Sequence, residues 1–125
     1  MADGRRGRGI AGEDAAARLL SGLGYDLLAR NFRTQYGELD IVAVDREWLV
    51  FCEVRARVGR PSLAIALAKE SVGPGKQLQL RKMAGEWFRL AAQHVRTSRS
   101  RFDVVAVSLT AAGRVLELEH VVDAF

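Results

Sequence analysis

The 125-residue chain has one cysteine and two prolines. A lone Cys52 excludes an internal disulfide. Set inside an apolar run, with neither His94 nor His120 close in sequence, it reads as a small buried side chain rather than a nucleophile. No apolar run approaches the roughly 20 residues that span a bilayer. The opening Met1-Ala-Asp-Gly-Arg-Arg-Gly-Arg-Gly carries no hydrophobic segment behind its basic residues, so no secretory signal is expected and the cytoplasm is the expected compartment. Lysine is scarce, three against sixteen arginines. The net charge of +4 and pI near 9.8 suit a polyanionic partner. The excess is modest, and a preference for arginine can equally reflect genomic base composition.

What is present is an ordinary globular mixture, 49% apolar and 27% charged, long enough for a single core. Residues 1–9, rich in glycine and arginine, read as a disordered tail, and 10–125 as one domain. Ile10, Ala16, Ala17, Leu20 and Leu23 repeat at helical spacing and Gly22 and Gly24 end the run, with Glu13 in about the first turn. Tyr25–Phe32, Glu38–Asp45 and Trp48–Ala56 read as strands. Residues 57–75 hold both prolines and three glycines and read mainly as a long mobile loop, in which Leu63–Ala68 could form a turn of helix. Lys76–Val95 is the second helix, its apolar stripe running through Leu80, Met83, Ala84, Trp87 and Ala91. After a linker at Thr97–Ser100, Phe102–Leu109 reads as a buried strand and Val115–Val122 as an alternating one. The expected order is α-β-β-β-α-β-β, an α/β arrangement of a mixed sheet flanked by helices.

Two carboxylates stand inside otherwise apolar strands. Asp40 opens Asp-Ile-Val-Ala-Val, and Glu53 interrupts Leu-Val-Phe-Cys-Glu-Val-Arg. Only the polar Asp45-Arg46-Glu47 separates the two runs, so they read as a hairpin. A carboxylate in such a place is costly unless paired or bound to a metal. Strict alternation puts Glu38, Asp40 and Val42 on one face and Leu39, Ile41 and Ala43 on the other, while Phe51, Glu53 and Arg55 share a face. If those faces match, Asp40, Glu53 and Arg55 converge, and Glu13 can reach them from the first helix. Such a centre would hold Mg²⁺ or Mn²⁺ through Asp40 and Glu53, with Glu13 as a ligand or water-positioner and Arg55 beside a phosphate. A second reading stands beside it, in which Asp40 is satisfied by a buried arginine and Glu53 and Arg55 form a surface pair. Glu38 reads as a solvent-facing or supporting acid. Asp103 is expected to be structural, Trp48, Trp87 and Phe88 to be core, and both histidines to be chemically idle. Arg57, Arg60 and Lys69 in the long loop are the candidate phosphate contacts.

Gly12-Glu13, Gly37-Glu38-Leu39-Asp40, Glu53-Val54-Arg55, Lys76-Gln77, Arg101-Phe102-Asp103-Val104-Val105 and the closing Asp123-Ala124-Phe125 occur in an order that resembles the YraN family of small bacterial predicted endonucleases. That family is similar to the archaeal Holliday-junction resolvases of the PD-(D/E)xK superfamily. The resemblance covers about residues 10–125. It implies a restriction-endonuclease-like fold, metal-dependent cleavage of branched or structured DNA, and a site at Glu13, Asp40, Glu53 and position 55. The superfamily pattern has lysine at that last position, and Arg55 cannot act as a general base. Lys76 is the candidate replacement. Without one, the expected alternative is a catalytically weak module that binds nucleic acid. A four-way junction has two-fold symmetry, so a homodimer is expected. Val115, Leu116, Leu118 and Val121 offer either its contact or core.

Overall fold

The structure, a computed structural model, describes residues 4–91, 97 and 99–125. Helix α1 (Gly4–Gly22) leads into strands β1 (Asp26–Thr34), β2 (Gly37–Asp45) and β3 (Trp48–Val58). Helices α2 (Pro61–Glu70) and α3 (Pro74–Ala91) follow, then β4 (Arg99–Leu109) and β5 (Val115–Val121). The five strands form one sheet in chain order, antiparallel throughout except between β3 and β4. A parallel pair needs a long crossover, and α2 with α3 supplies it. Among the described residues no helix is long and apolar enough to cross a membrane.

Alternation along the strands builds a core on each face of the sheet. On one face, Ala16, Ala17 and Leu20 of α1 pack on Ile41, Ala43, Val50, Cys52, Val105 and Val107. On the other, Leu80, Met83, Ala84 and Trp87 of α3 pack on Val42, Leu49, Phe51, Phe102 and Val104. Ile65 and Ala68 of α2 cover Ala106. Trp87 is core as expected, whereas Phe88 is exposed and touches Phe51 edge-on. Of the late apolar residues, Val115 and Leu118 pack against the α1-side core, Val121 against the α3-side core, and Leu116 is exposed.

Several expectations change. The segment read as a tail is helical from Gly4 onward, because arginine is a good helix former and elongation is easy once the apolar turns are anchored. Residues 1–3 lie outside the described residues. Glu13 therefore sits in the middle of α1, not in its first turn. The stretch read as a loop contains α2. Pro61 occupies the first helical position, where its missing N–H costs nothing, and the Ala64, Ile65, Ala68 stripe finds a surface on β4. Pro74 opens α3 in the same way, placing Lys76 in its first turn. The end of the predicted second helix, with His94 and Val95, lies outside the described residues. Arg99 and Ser100, read as linker, already belong to β4.

Candidate metal centre

The β2–β3 ladder runs from Asp45↔Trp48 to Ile41↔Cys52 and stops there. At the next position the side chain of Asp40 takes over from the backbone: its Oδ2 accepts the Val54 N–H at 2.8 Å. Strict alternation also fails here. Leu39 packs with Val42 on the α3 side, although Ile41 between them faces α1. Opposite, Asn31 of β1 adopts φ 55°, so two strands deviate together at one end of the sheet.

Glu53 projects beside Asp40 and is 3% exposed. Its Oε2 is buried without a hydrogen-bond partner. Lys76 Nζ lies 3.1 Å from that same oxygen, an ion contact off hydrogen-bond alignment, so the charge is compensated while the lone pair is not used. Burial, a hydrogen bond with Glu53 and the charge of Glu53 push Asp40 up to about 8, against the pull of the Val54 N–H and Lys76. Asp40 thus keeps its proton at neutral pH.

Helix α1 closes the other side. A Cβ on Gly12 would stand 3.1 Å from the Ala56 Cβ, so glycine lets α1 lie close on β3 and carries Glu13 to the sheet. Oxygens of Glu13, Glu38 and Asp40 lie within 4.8 Å of one another. Burial, then Asp40 and Glu38, raise Glu13 to about 7, with Arg30 opposing. The Asn31 carboxamide, oriented so that its nitrogen satisfies both acceptors, donates at 2.6 Å to Glu13 Oε1 and at 2.6 Å to Glu38 Oε1. Arg33 Nε donates to Glu38 Oε2 at 3.0 Å. Gly9, Ile10, Glu13, Asn31, Arg33 and Glu38 line an open groove of about 350 Å³. The donors are all hard oxygens and one of them is a buried orphan, so the set suits Mg²⁺ or Mn²⁺.

Asp40 is therefore the common member: its oxygens cluster with those of Glu13 and Glu38, and Glu53 adjoins Asp40 without being part of that cluster. Arg55 is engaged elsewhere: its Nε donates to Ser71 Oγ at 2.7 Å and its Nη2 to Ser71 O at 3.1 Å, tying β3 to the end of α2. Lys76 is the cation against Glu53. Arg57 donates to the Ala56 carbonyl of its own strand, Arg60 is the N-cap of α2, and Lys69 pairs with Glu119 at 3.1 Å. Asn31 was missed by sequence reasoning. Its only signal was a residue tolerant of left-handed backbone inside a strand pattern.

A second polar cluster lies across β3 on β4 and β5, where Asp103 pairs in register with Cys52. Asp103, fully buried, accepts from Arg101 Nε at 3.0 Å and from the Asp123 N–H at 3.0 Å, and lies 2.8 Å from His120 Nε2. Arg101 also donates to Tyr25 Oη at 2.7 Å and Asp45 Oδ2 at 3.2 Å. Burial pushes Asp103 up, but the His120, Arg101 and Asp123 bonds outweigh it and hold the carboxyl below its ordinary value. Asp103 is structural, as expected. His120 is not isolated, because β5 pairs it with Val105 and brings it to Asp103.

A model of the uncharacterised protein family UPF0102 matches residues 12–107. A UPF0102 protein of Pelotomaculum thermopropionicum is 45% identical over 125 residues, the full length of both chains. One from Rhodococcus opacus is 44% identical over 117 residues, covering 94% of each. Another from Moorella thermoacetica is 44% identical over 121 residues, 97% of each.

Proposed function

The chain belongs to the uncharacterised family UPF0102, the YraN family, and on that footing we propose that it is a metal-dependent endonuclease that hydrolyses phosphodiester bonds in branched or structured DNA. The observation that carries this reading is the orphaned Glu53 Oε2, buried beside a carboxyl that keeps a proton at neutral pH. A sheet interior gains nothing from two such groups unless a cation displaces the proton. Asp40 and Glu53 would hold Mg²⁺ or Mn²⁺, with Glu13 and Glu38 offering further oxygens. The bound cation would polarise the phosphodiester and lower the pKa of a coordinated water.

The chain's own residues would do the rest. Glu13, whose proton affinity lies near neutrality, is suited to orient or accept a proton from the attacking water. Lys76 would meet the charge that develops on the phosphate, the work that the superfamily pattern gives to the position of Arg55. A lysine can also change its protonation state, which an arginine cannot. The alternative, a module that binds nucleic acid without cutting it, rested on Arg55 standing in for lysine. Lys76 against Glu53 weakens it. Arg57 and Arg60 are proposed to contact flanking phosphates, and Lys69 to do so on release from Glu119. A two-fold-symmetric junction would be met by a homodimer.

The test is cleavage of four-way junction, flap and single-stranded DNA with Mn²⁺. Lys76→Met should slow the wild-type rate about a hundredfold, the usual cost of a misplaced catalytic group, and Arg55→Lys should change it little. An inert wild type that still binds DNA with a steep salt dependence would make it a binding module. One whose affinity ignores salt would have no phosphate-driven partner.

A further inference from the structure

We propose that Asn31 is the positioning residue that presets Glu13 and Glu38 for the divalent cation, an inference that rests on the metal-centre reading above. The β1–β2 register is regular on both sides of it, Arg30↔Ile41 and Phe32↔Leu39. The excursion to φ 55° is therefore confined to one residue inside a continuing strand. Few side chains other than asparagine and aspartate tolerate that backbone. Its effect is to turn the carboxamide across to α1, where one nitrogen donates to two acids from different elements.

The geometry fits positioning better than charge neutralisation. Glu38 is held at both oxygens, Oε1 by Asn31 and Oε2 by Arg33, while Glu13 is held at Oε1 by Asn31. Glu38 is thus fixed in rotation and Glu13 is anchored at one oxygen, its Oε2 having no hydrogen-bond partner among the described residues. A carboxamide carries no charge, so it orients the acids without competing with the cation they would attract. An arginine or lysine in its place would do both. Groups that orient ligands in this way commonly govern metal affinity by 10- to 100-fold.

The experiment compares wild type with two variants, each followed by calorimetric Mn²⁺ titration and metal-free thermal melting. Asn31→Gly accepts the left-handed backbone and removes both donors. It should bind Mn²⁺ roughly 10- to 100-fold more weakly while staying folded, and affinity equal to wild type would overturn the proposal. Should Asn31→Gly fail to fold, Asn31→Asp keeps the shape and the backbone tolerance but turns both donors into acceptors. Its metal-free melting temperature should fall by about 5 °C and recover with Mn²⁺, and melting like wild type would overturn the proposal equally. A wild type that takes up no Mn²⁺ removes the metal centre itself. A wild type that binds Mn²⁺, beside an Asn31→Gly that loses nothing, removes only Asn31.

Discussion

Asp40 and Asp103 are the same residue type, each set in a strand of one sheet, and they are treated in opposite ways. On β4, Asp103 is surrounded by an arginine, a histidine and a backbone N–H, and its carboxyl is held below the ordinary range. On β2, across β3, Asp40 faces Glu53, with Glu13 and Glu38 nearby, and its carboxyl is pushed up to about 8. One cluster is satisfied within the protein and the other is not. A buried polar network that closes on itself holds the fold together, and one left open is where the proposed cation would bind.

The largest effect should come from breaking the closed cluster. Asp103→Asn leaves the Arg101 guanidinium, 6% exposed at its side chain, without its principal counter-charge. The expected loss is about 3–5 kcal/mol, measured by chemical denaturation. A loss below about 1 kcal/mol would mean that Asp45 and Tyr25 suffice, and the contrast between the two clusters would weaken.

The open cluster should respond with the opposite sign. Asp40→Asn keeps the shape, removes the like-charge contact and mimics the protonated acid, so the metal-free protein should melt a few degrees higher at pH 8, at about 4 °C per kcal/mol. The same variant should lose Mn²⁺ binding in calorimetry. Destabilisation together with a wild type that ignores metal would make Asp40 structural.

The two clusters also pull against each other with pH. Folded Asp40 and Glu13 keep protons up to about 8 and about 7, whereas their ordinary values are 3.8 and 4.5. The native state then binds more protons than the unfolded chain, and stability falls as pH rises between about 4 and 8. Asp103 contributes stability above its ordinary value of 3.8, lost as pH falls below it. Metal-free melting temperatures should therefore decline from pH 5 to pH 8.5, and saturating Mn²⁺ should reverse the slope. A flat metal-free profile would mean that Asp40 and Glu13 do not hold their protons to neutral pH.

Arg55→Lys should produce the smallest change. It gives up the two-point contact with Ser71, worth about 1 kcal/mol, and should leave Mn²⁺ affinity untouched. A large gain in cleavage would instead return position 55 to the site.

The hairpin and its acids were legible because the signal is local: charged residues inside Val, Ile, Leu and Phe runs are expensive enough to stand out. Helix α2 was not, since its flanking glycines and prolines describe the ends of the segment better than its middle. The role of Asn31 was hidden because it depends on a partner 18 residues earlier and another 7 later, meeting through a backbone excursion that no periodicity reports. His120 reaches Asp103 only through the register of β5 on β4.

Composition and patterning alone determined the mixed sheet flanked by helices and the hairpin that carries Asp40 and Glu53, because each rests on burial costs paid within a few residues; that the acids gather rather than pair off was left open. Only the tertiary structure decided which cation lies against Glu53. Arg55 alternates to the expected side of its strand, but α2 ends beside it with Ser71 free to bind it, while α3 begins with Lys76 over Glu53. Side chains meet through the packing of elements far apart in the chain, and nearness in sequence does not report that packing.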